Sequence, residues 1–338
     1  MGDSIIKDLA QLAGATDTTN GSWLVSFANE LGVTSPVNGS WWEAIGLDLG
    51  LTAVNGSWIQ AIAIHYGATD PMNGSWLQAL YDNISFGPTF DPDAQAFITA
   101  ASITDATQQG AVNQLVLDLK SASIWTKMVG LYPFVGGSAS AHKWNLKDPR
   151  DLDAAYRLVF SGGITHSATG ADPNGTNGFA NTFLYMSSLD VANVHMSFCS
   201  RQNTYSGAGF ACDVGSASGG GNQTLLSAGG TSTNSPASYF GATGAFGAGA
   251  ANGFFVGSLT GGLLTGNTNT LYKNGSSIAT SLNTLALSPN PFYIFASSGF
   301  PSYSNRECSF ASIGFGLNGT EVTALTNAVT TFNTTLSR

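Results

Sequence analysis

Charge is the scarcest property of this sequence. Only 9% of its 338 residues are charged, and 11 Lys and Arg stand against 20 Asp and Glu. An average globular protein has about 25% charged residues. A net charge of −9 with so few cations argues against a nucleic-acid-binding protein, which needs a basic face. The polar surface must therefore consist of Ser, Thr, Asn and Gly.

Long apolar runs and cysteine are also rare. No stretch approaches the roughly 20 apolar residues of a membrane span, and Lys7 is followed at once by Asp8, so no secretory leader is recognisable. We therefore expect no membrane insertion. The three cysteines lack metal-like spacing and are expected to be free thiols, although a bridge between two of them stays open: Cys199, Cys212 and Cys308.

Catalytic and metal-binding groups are sparse too. A glycosidase needs two carboxylates flanking the scissile bond, and no Glu/Asp pair alternates along a predicted strand. The glutamates are only Glu30, Glu43, Glu307 and Glu321. The histidines have no metal-ligand spacing: His65, His142, His166 and His195. We expect no enzyme, no metal site and no cofactor.

One motif is abundant in the first quarter of the chain. Asn-Gly-Ser-Trp begins at residues 20, 38, 55 and 73, and so regular a spacing is the signature of a repeat array. Asn and Gly favour a turn, and Ser favours a helix N-cap. Gly32, Gly50 and Gly67 are expected to end the helices that follow. Residues 4–13 have the helical pattern without the opening motif and are read as a degenerate first repeat. Together the repeats predict about five short helices between residues 4 and 85.

Tryptophan opens each helix of the array. We favour the interpretation that these side chains pack successive helices together, because repeats need an internal core. The alternative is docking onto another protein, since Trp is enriched in binding hot spots. Trp42 lies about 100° round the helix from its neighbour and is the best candidate for an outward anchor. The anchoring and packing residues are Trp23, Trp41, Trp42, Trp58 and Trp76.

The remaining chain changes from helical to strand periodicity. Residues 91–101 and 104–121 predict two helices of a neck, and a terminal helix is predicted over residues 320–336. Between them lie Gly-rich turns and short runs of aromatic and β-branched residues. Clear strand candidates are residues 156–160, 179–184, 194–200, 253–256, 270–272, 292–296 and 308–315. Asn274-Gly275 predicts a tight hairpin turn.

The predicted fold class is therefore α+β with several domains. Residues 1–85 form the repeat array, residues 86–128 the helical neck, and residues 129–338 an antiparallel β-sandwich with a C-terminal helix. Many short strands with regular turns imply a sandwich or jelly roll.

Several stretches of the C-terminal part support a family resemblance. They are Ile-Trp (124–125), Tyr-Pro-Phe-Val-Gly-Gly (132–137), His-Lys-Trp-Asn-Leu-Lys-Asp (142–148), Leu-Val-Phe-Ser-Gly-Gly (158–163), Asn-Gly-Thr-Asn-Gly-Phe-Ala (174–180), Leu-Tyr-Lys-Asn-Gly (271–275) and Phe-Ala-Ser-Ile-Gly (310–314). With these stretches the chain resembles a family of bacteriophage virion proteins that carry a concanavalin A-like (laminin G-like) sandwich. The Asn-Gly-Ser-Trp repeats resemble N-terminal segments of phage proteins more loosely.

The resemblance implies a non-enzymatic virion structural protein, such as a fibre, decoration or receptor-binding component, assembled in the host cytoplasm. Residues 1–85 would anchor it to capsid or tail proteins as a homo-oligomer, and the lectin-like sandwich would face a host glycan. A decoration protein without glycan binding and a glycan depolymerase are the alternatives. Exposed aromatic, Asn and Arg side chains on loops are the candidate glycan contacts: Arg201, Asn203, Tyr205, Tyr303, Asn305, Arg306, Asn174 and Asn177.

Overall fold

The chain folds into two compact units, Met1–Thr89 and Phe90–Arg338. The computed structural model describes residues 2–69, 75–83, 90–203, 211–218, 221–229, 236–262, 266–283, 288–299 and 302–338. Short helices make up the first unit, and two antiparallel sheets with flanking helices make up the second. The predicted class, α+β with an N-terminal helix array and a C-terminal β-sandwich, is confirmed.

Five helices form the first unit: α1 (Gly2–Leu12), α2 (Trp23–Glu30), α3 (Trp41–Asp48), α4 (Trp58–His65) and α5 (Trp76–Asn83). Each is a neighbour of the next, and α1 also contacts α5. Their inward faces share one core that includes Leu9, Phe27, Ile45, Ile62 and Leu80, all fully buried. Helices this short are unstable alone, so this shared core is what stabilises them.

The repeated motif forms the same local structure each time the structure describes it fully. The Asn and Gly residues have positive φ angles of 47–50° and 72–76°, which is the backbone of a type I′ turn. A serine in extended conformation follows and precedes the first helical residue. Ser40, Ser57 and Ser75 accept a hydrogen bond from the backbone N–H three residues on, at 3.2–3.3 Å. Ser22 makes no such cap.

Glycine ends the helices, as expected. Gly32, Gly50 and Gly67 have φ angles of 71–94° and each donates its N–H to the carbonyl three residues before it. The left-handed backbone at these positions favours glycine because an added Cβ would be strained. The asparagine and glycine of the fourth motif lie outside the described residues.

The tryptophans lie half-buried in the core of the array. Trp58 of α4 covers Gly46 of α3 so closely that a Cβ built on that glycine would lie 2.4 Å from Trp58 Cε3. The corresponding position holds Ala10, Ala28 and Ala63, all fully buried, in α1, α2 and α4, and Tyr81 in α5. In α3 the glycine thus leaves room for the indole of the next helix.

Trp42 does not project outward as an anchor. It is half-buried, and its ring centroid lies 6.0 Å from that of Phe27 at an interplanar angle of 55°. The rotation of 100° from Trp41 therefore turns Trp42 towards α2 rather than towards solvent.

The second unit contains sixteen strands among the described residues. They are β1 (Met128–Tyr132), β2 (Val159–Ser161), β3 (Ile164–Ser167), β4 (Gly170–Pro173), β5 (Phe179–Tyr185), β6 (Val194–Ser200), β7 (Val214–Ala217), β8 (Gln223–Ser227), β9 (Ala237–Phe240), β10 (Gly244–Phe246), β11 (Gly253–Gly262), β12 (Gly266–Lys273), β13 (Ser276–Asn283), β14 (Pro291–Ile294), β15 (Ser297–Ser298) and β16 (Cys308–Phe315).

These strands form two eight-stranded sheets. The first has the order β13-β12-β11-β6-β16-β4-β3, with β1 added beside β16, and the second has the order β10-β9-β8-β7-β14-β5-β2. Strand β15 pairs with β7 in parallel, whereas the other pairs are antiparallel. Phe198, Phe255 and Phe292 belong to the core between the sheets.

Four helices belong to the second unit: α6 (Pro92–Ala100), α7 (Ala106–Ser121), α8 (Ala139–His142) and α9 (Gly319–Thr335). Leu115 of α7 and Phe332 of α9 share a core with Phe254 and Phe310 of the first sheet. Helices α6, α7 and α9 therefore cover the outer face of that sheet. The predicted boundary at residue 128 is absent, because this core joins the neck helices to the sandwich.

The short helices and the neck helices already pack on cores within their own units, and the homo-oligomer stays a prediction. Within the described residues, no helix is long and apolar enough to cross a membrane. In the same part of the chain, no group of three or more His, Cys, Asp or Glu residues is placed to hold a metal ion. The three cysteines are free.

Candidate functional site

The predicted glycan-contact residues do not form one cluster. Asn174 and Asn177 lie on the exposed loop between β4 and β5, where Asn174 Nδ2 donates to Asn177 Oδ1 at 2.8 Å. A Cβ built on Gly175 of this loop would lie 2.9 Å from Asn305 Cβ, so Asn305 is beside them. The side chains of Asn174 and Asn177 are exposed, but their amides largely stabilise their own turn.

Arg306 is not a ligand contact. Its side chain is fully buried, and its Nε and Nη2 donate to the carboxylate of Asp213 at 3.0 and 2.9 Å. Asp213 also accepts from the Ser304 hydroxyl and from the Ala228 N–H. A buried charge is stable only when it is paired and hydrogen-bonded, so this arginine holds the loop before β16 against the start of β7.

The other predicted residues are dispersed. Asn203 is exposed, and its Oδ1 accepts a hydrogen bond from the Ala251 N–H at 2.7 Å. Tyr303 is half-buried and forms isolated bridges with Cys212 and Ala296. Tyr205 lies outside the described residues.

Arg201 is the predicted residue that the structure places in a cavity. It follows β6 and lines a groove of about 350 Å³ on the outer face of the first sheet. Small-molecule sites commonly measure about 300–1,000 Å³. We call this the α9 groove, defined by Cys199, Ser200, Arg201, Gly253, Phe254, Asn274, Ser309, Val329, Thr330, Asn333, Thr334 and Arg338.

Three strands, one helix and one hairpin turn form the α9 groove. Strands β6, β11 and β16 provide its floor, the C-terminal turns of α9 form one wall, and the β12–β13 hairpin contributes Asn274. That hairpin is the predicted tight turn, with Asn274 and Gly275 at φ angles of 49° and 82°. Asn274 Oδ1 accepts the Phe254 N–H at 2.9 Å, which fixes the exposed amide at the rim.

Two groups in the α9 groove have unused hydrogen-bonding capacity. The Arg201 guanidinium donates from Nη1 to Glu307 Oε1 at 3.2 Å, and within the described chain its Nε and Nη2 have no acceptor. Ser309 is 1% exposed, and its Oγ, which interacts weakly with the Cys199 thiol, has no hydrogen-bond partner of normal geometry. Leaving a buried hydroxyl unpaired costs about 1–3 kcal/mol, so each such group in a native structure needs an explanation.

Arg338 supports the groove without offering free donors. All its nitrogens are engaged, Nε with Asn333 Oδ1 at 3.0 Å and the others with the carbonyls of Phe134, Ala168, Pro133 and Ser309. Burial lowers the pKa of Arg338 to about 10, so it stays charged at neutral pH. Its hydrogen-bond acceptors are all neutral, and Glu307 is the described carboxylate whose charge acts on it.

Two carboxylates lie beside the α9 groove. Glu307, just before β16, pairs with Arg201 and accepts a hydrogen bond from the Thr169 hydroxyl. Asp172 on β4 has a raised pKa, first because it is partly buried and second because of the negative charge of Glu307. Neither carboxylate is among the residues that line the groove.

Three of the four histidines belong to the second unit, and none of them lines the α9 groove. His142 Nδ1 and His166 Nδ1 lie 3.0 Å apart. Burial lowers the pKa of His142 to about 3 and also lowers the pKa of His166. His195 is fully buried and lies between the Phe315 carbonyl and the Ser312 hydroxyl.

Comparisons with known proteins find a shared sandwich and no assigned family. No protein-family model matches the chain, and no curated protein matches it. Among solved structures, domain 4 of AbnA, a GH43 extracellular arabinanase from Geobacillus stearothermophilus determined with arabinotriose, is 13% identical. The match covers 59% of this chain and 98% of that domain, with a TM-score of 0.38.

Two further matches are similarly distant. Trypanosoma rangeli sialidase in complex with the inhibitor DANA is 16% identical over 59% of this chain and 32% of its own, with a TM-score of 0.41. The binding domain of botulinum neurotoxin DC with SialylT is 10% identical over 61% of this chain and 52% of its own, with a TM-score of 0.37. This chain thus spans about a third of the sialidase. Matches at this level carry no argument about activity, and the β-sandwich rests on the two sheets of this chain.

The comparisons nevertheless correct one prediction. The expected function, a non-enzymatic structural protein of a bacteriophage virion, rested on a family resemblance in the C-terminal part. The structures matched there are an arabinanase domain, sialidases and neurotoxin binding domains. The prediction of a virion structural protein is therefore wrong and is not carried further.

The α9 groove could be located only in part from the sequence. Arg201 was a candidate because it follows a predicted strand, and the Asn-Gly hairpin marked Asn274 as a turn residue. Ser309, Asn333 and Arg338 had no signal, because each lies within a strand or at the end of a helix and only packing of α9 on the sheet brings them together.

Proposed function

We propose that the sandwich unit binds carbohydrate in the α9 groove and does not cleave it. The observation that carries this proposal is the meeting, in one groove, of an unpaired buried hydroxyl on Ser309 and unused guanidinium N–H groups on Arg201. Sugars present closely spaced hydroxyl groups that both donate and accept hydrogen bonds. The groove supplies matching partners of both kinds.

The remaining lining fits a sugar ring better than an apolar ligand. Asn274, Thr330 and Thr334 place amide and hydroxyl groups at the exposed rim, and Phe254 lies in the floor. Ligand sites typically combine apolar surface with a few fixed polar groups that set orientation. A groove of this size accommodates the end of an oligosaccharide, with the rest of the chain in solvent.

Cleavage is the second candidate, and Asp172 and Glu307 are the observation that favours it, because two coupled carboxylates are the usual apparatus of a glycosidase. We propose binding alone because the described groove lining contains neither residue and because Arg201 and Thr169 already hold Glu307. Reducing-sugar release from each bound glycan tests this directly. Release that depends on Asp172 would replace the proposal with a hydrolase.

Binding is tested by applying the labelled intact chain to a glycan array, followed by calorimetric titration of each sugar that binds. Arg201→Ala removes a charge-assisted donor worth about 1.5–3 kcal/mol, which corresponds to an affinity about 10–150 times weaker. Arg150→Ala is the control, because that side chain is 66% exposed and lies outside the groove lining. Absence of binding to any sugar would overturn the proposal.

Ser309→Ala gives a sharper test. Removing the unpaired hydroxyl relieves its desolvation cost in the free protein, so thermal stability should stay equal or rise while affinity falls about 2- to 10-fold. A serine that only supports the fold would lower stability instead, and a binding site elsewhere would leave affinity unchanged.

A further inference from the structure

The ligand's chemical class can be narrowed from the geometry of Arg201; this step rests on the proposed function. The guanidinium of arginine has two edges that match a carboxylate. In Arg201 the single contact with Glu307 uses Nη1. The edge formed by Nε and Nη2 is therefore complete and, within the described chain, unoccupied.

The charges around the α9 groove favour an anion at that edge. Arg201 and Arg338 line the groove. Among the described carboxylates, Glu307 forms an ion pair with Arg201. Arg338 hydrogen-bonds only to neutral oxygens, and Glu307, which pairs with Arg201, is the described carboxylate whose charge acts on it. Two guanidinium groups therefore share one carboxylate. The chain has a net charge of −9, so two guanidinium groups in one groove make a locally positive region on an otherwise acidic protein.

Partial burial strengthens the attraction. The Arg201 side chain is 26% exposed and that of Glu307 is 15% exposed, so both lie where the effective dielectric constant is below that of water. A ligand carboxylate at the Nε–Nη2 edge would extend the existing Glu307–Arg201 pair. The unpaired Ser309 hydroxyl and the Asn274 amide would remain for the neutral hydroxyl groups of the same ligand.

We propose that the α9 groove selects sugars that carry a carboxylate, which Arg201 binds in a bidentate manner through Nε and Nη2. Uronic and sialic acids are the sugar classes with this group. Neutral oligosaccharides of the same shape would bind through the remaining hydrogen bonds alone, and so more weakly.

The test uses matched pairs of probes with the intact chain. One pair is trigalacturonate and its fully methyl-esterified form, in which each carboxylate is replaced by a neutral methyl ester on the same sugar backbone. The other pair is sialyllactose and its methyl ester. The acidic member of at least one pair is expected to bind ten-fold or more tightly, because a charge-assisted bidentate contact is lost with the neutral member. The preference should shrink as salt concentration rises.

Variants separate a bidentate contact from a general effect of charge. Arg201→Gln should abolish the preference for the acidic member, and Arg201→Lys should restore only part of it, because lysine keeps the charge and lacks the fork. Arg150→Gln, the control, should retain the full preference. Equal affinity for the acidic and neutral members, or a full preference for the acidic member in Arg201→Lys, would overturn this inference and leave the proposed function standing. Failure of all four sugars and of the glycan array would overturn both.

Discussion

Breaking the buried pair of Arg306 and Asp213 should destabilise the sandwich strongly. Both side chains are 0% exposed, and Arg306 provides two of the four groups that donate to Asp213, at 3.0 and 2.9 Å. Arg306→Met keeps most of the volume but leaves the Asp213 carboxylate with the Ser304 hydroxyl and the Ala228 N–H alone. Removing one partner of a buried pair costs about 3–5 kcal/mol.

The free energy of unfolding of the sandwich unit alone must be measured, because the chain contains a second unit. Hydrogen exchange of peptides from β7 and β16 reports it directly, since core strands exchange through global opening. Arg150→Met is the matched control, because its pair with Asp148 is exposed and such pairs contribute about 0–1 kcal/mol.

A double variant tests the cause. When Asp213→Asn is combined with Arg306→Met, no uncompensated charge remains, so the loss should be smaller than the sum of the two single losses. A loss below about 1 kcal/mol for Arg306→Met, or strict additivity, would refute the reasoning that places Arg306 in the core as half of a required pair.

Three further predictions concern the helix array and the buried histidine. Gly46→Ala should lower the thermal stability of the array, because the new Cβ would lie 2.4 Å from an indole carbon and overpacking costs about 1–3 kcal/mol. Gly110→Ala is the control: it lies in a helix where a Cβ would meet no atom within 4 Å, so this substitution should be neutral or stabilising. Ser40→Ala should cost about 1 kcal/mol by loss of its cap, whereas Ser22→Ala, which loses none, should cost much less in the same denaturant titration. Burial lowers the pKa of His195 to about 4, below its unfolded value near 6.5. The neutral imidazole therefore contributes its full stability above about pH 6.5, and this contribution is lost as the pH falls towards 4. A His195→Gln variant should lose this part of the pH dependence of unfolding, and an unchanged pH profile would contradict the prediction.

The helix array was readable from sequence because its determinants are local. Asn-Gly fixes the turn, serine caps the helix and glycine ends it, all within one repeat of the chain. The same holds for the Asn274-Gly275 hairpin and for α9, where Asn318 and Glu321 form a capping box. Two strands, Val194–Ser200 and Cys308–Phe315, have the predicted bounds, because each is a dense apolar run with clear turn residues around it.

The site was less predictable because it depends on contacts between distant segments. Arg306 looked like an exposed loop residue, but its partner Asp213 lies 93 residues away in the sequence. The first predicted strand, 156–160, begins three residues later than expected, with β2 at Val159, because Tyr156 has a left-handed backbone with a φ angle of 60° and ends a 3-10 helix. Burial of Ser309 likewise follows from where α9 packs, which no local pattern encodes.

The position of a bound sugar is the most direct test of the central claim. A crystal structure of the intact chain with the tightest-binding oligosaccharide should show the ligand between β6 and the C-terminal turns of α9, with an oxygen atom within hydrogen-bond distance of Ser309 Oγ and of the Arg201 guanidinium. A sugar bound at the loop of Asn174 and Asn177, or anywhere else away from the α9 groove, would contradict the account.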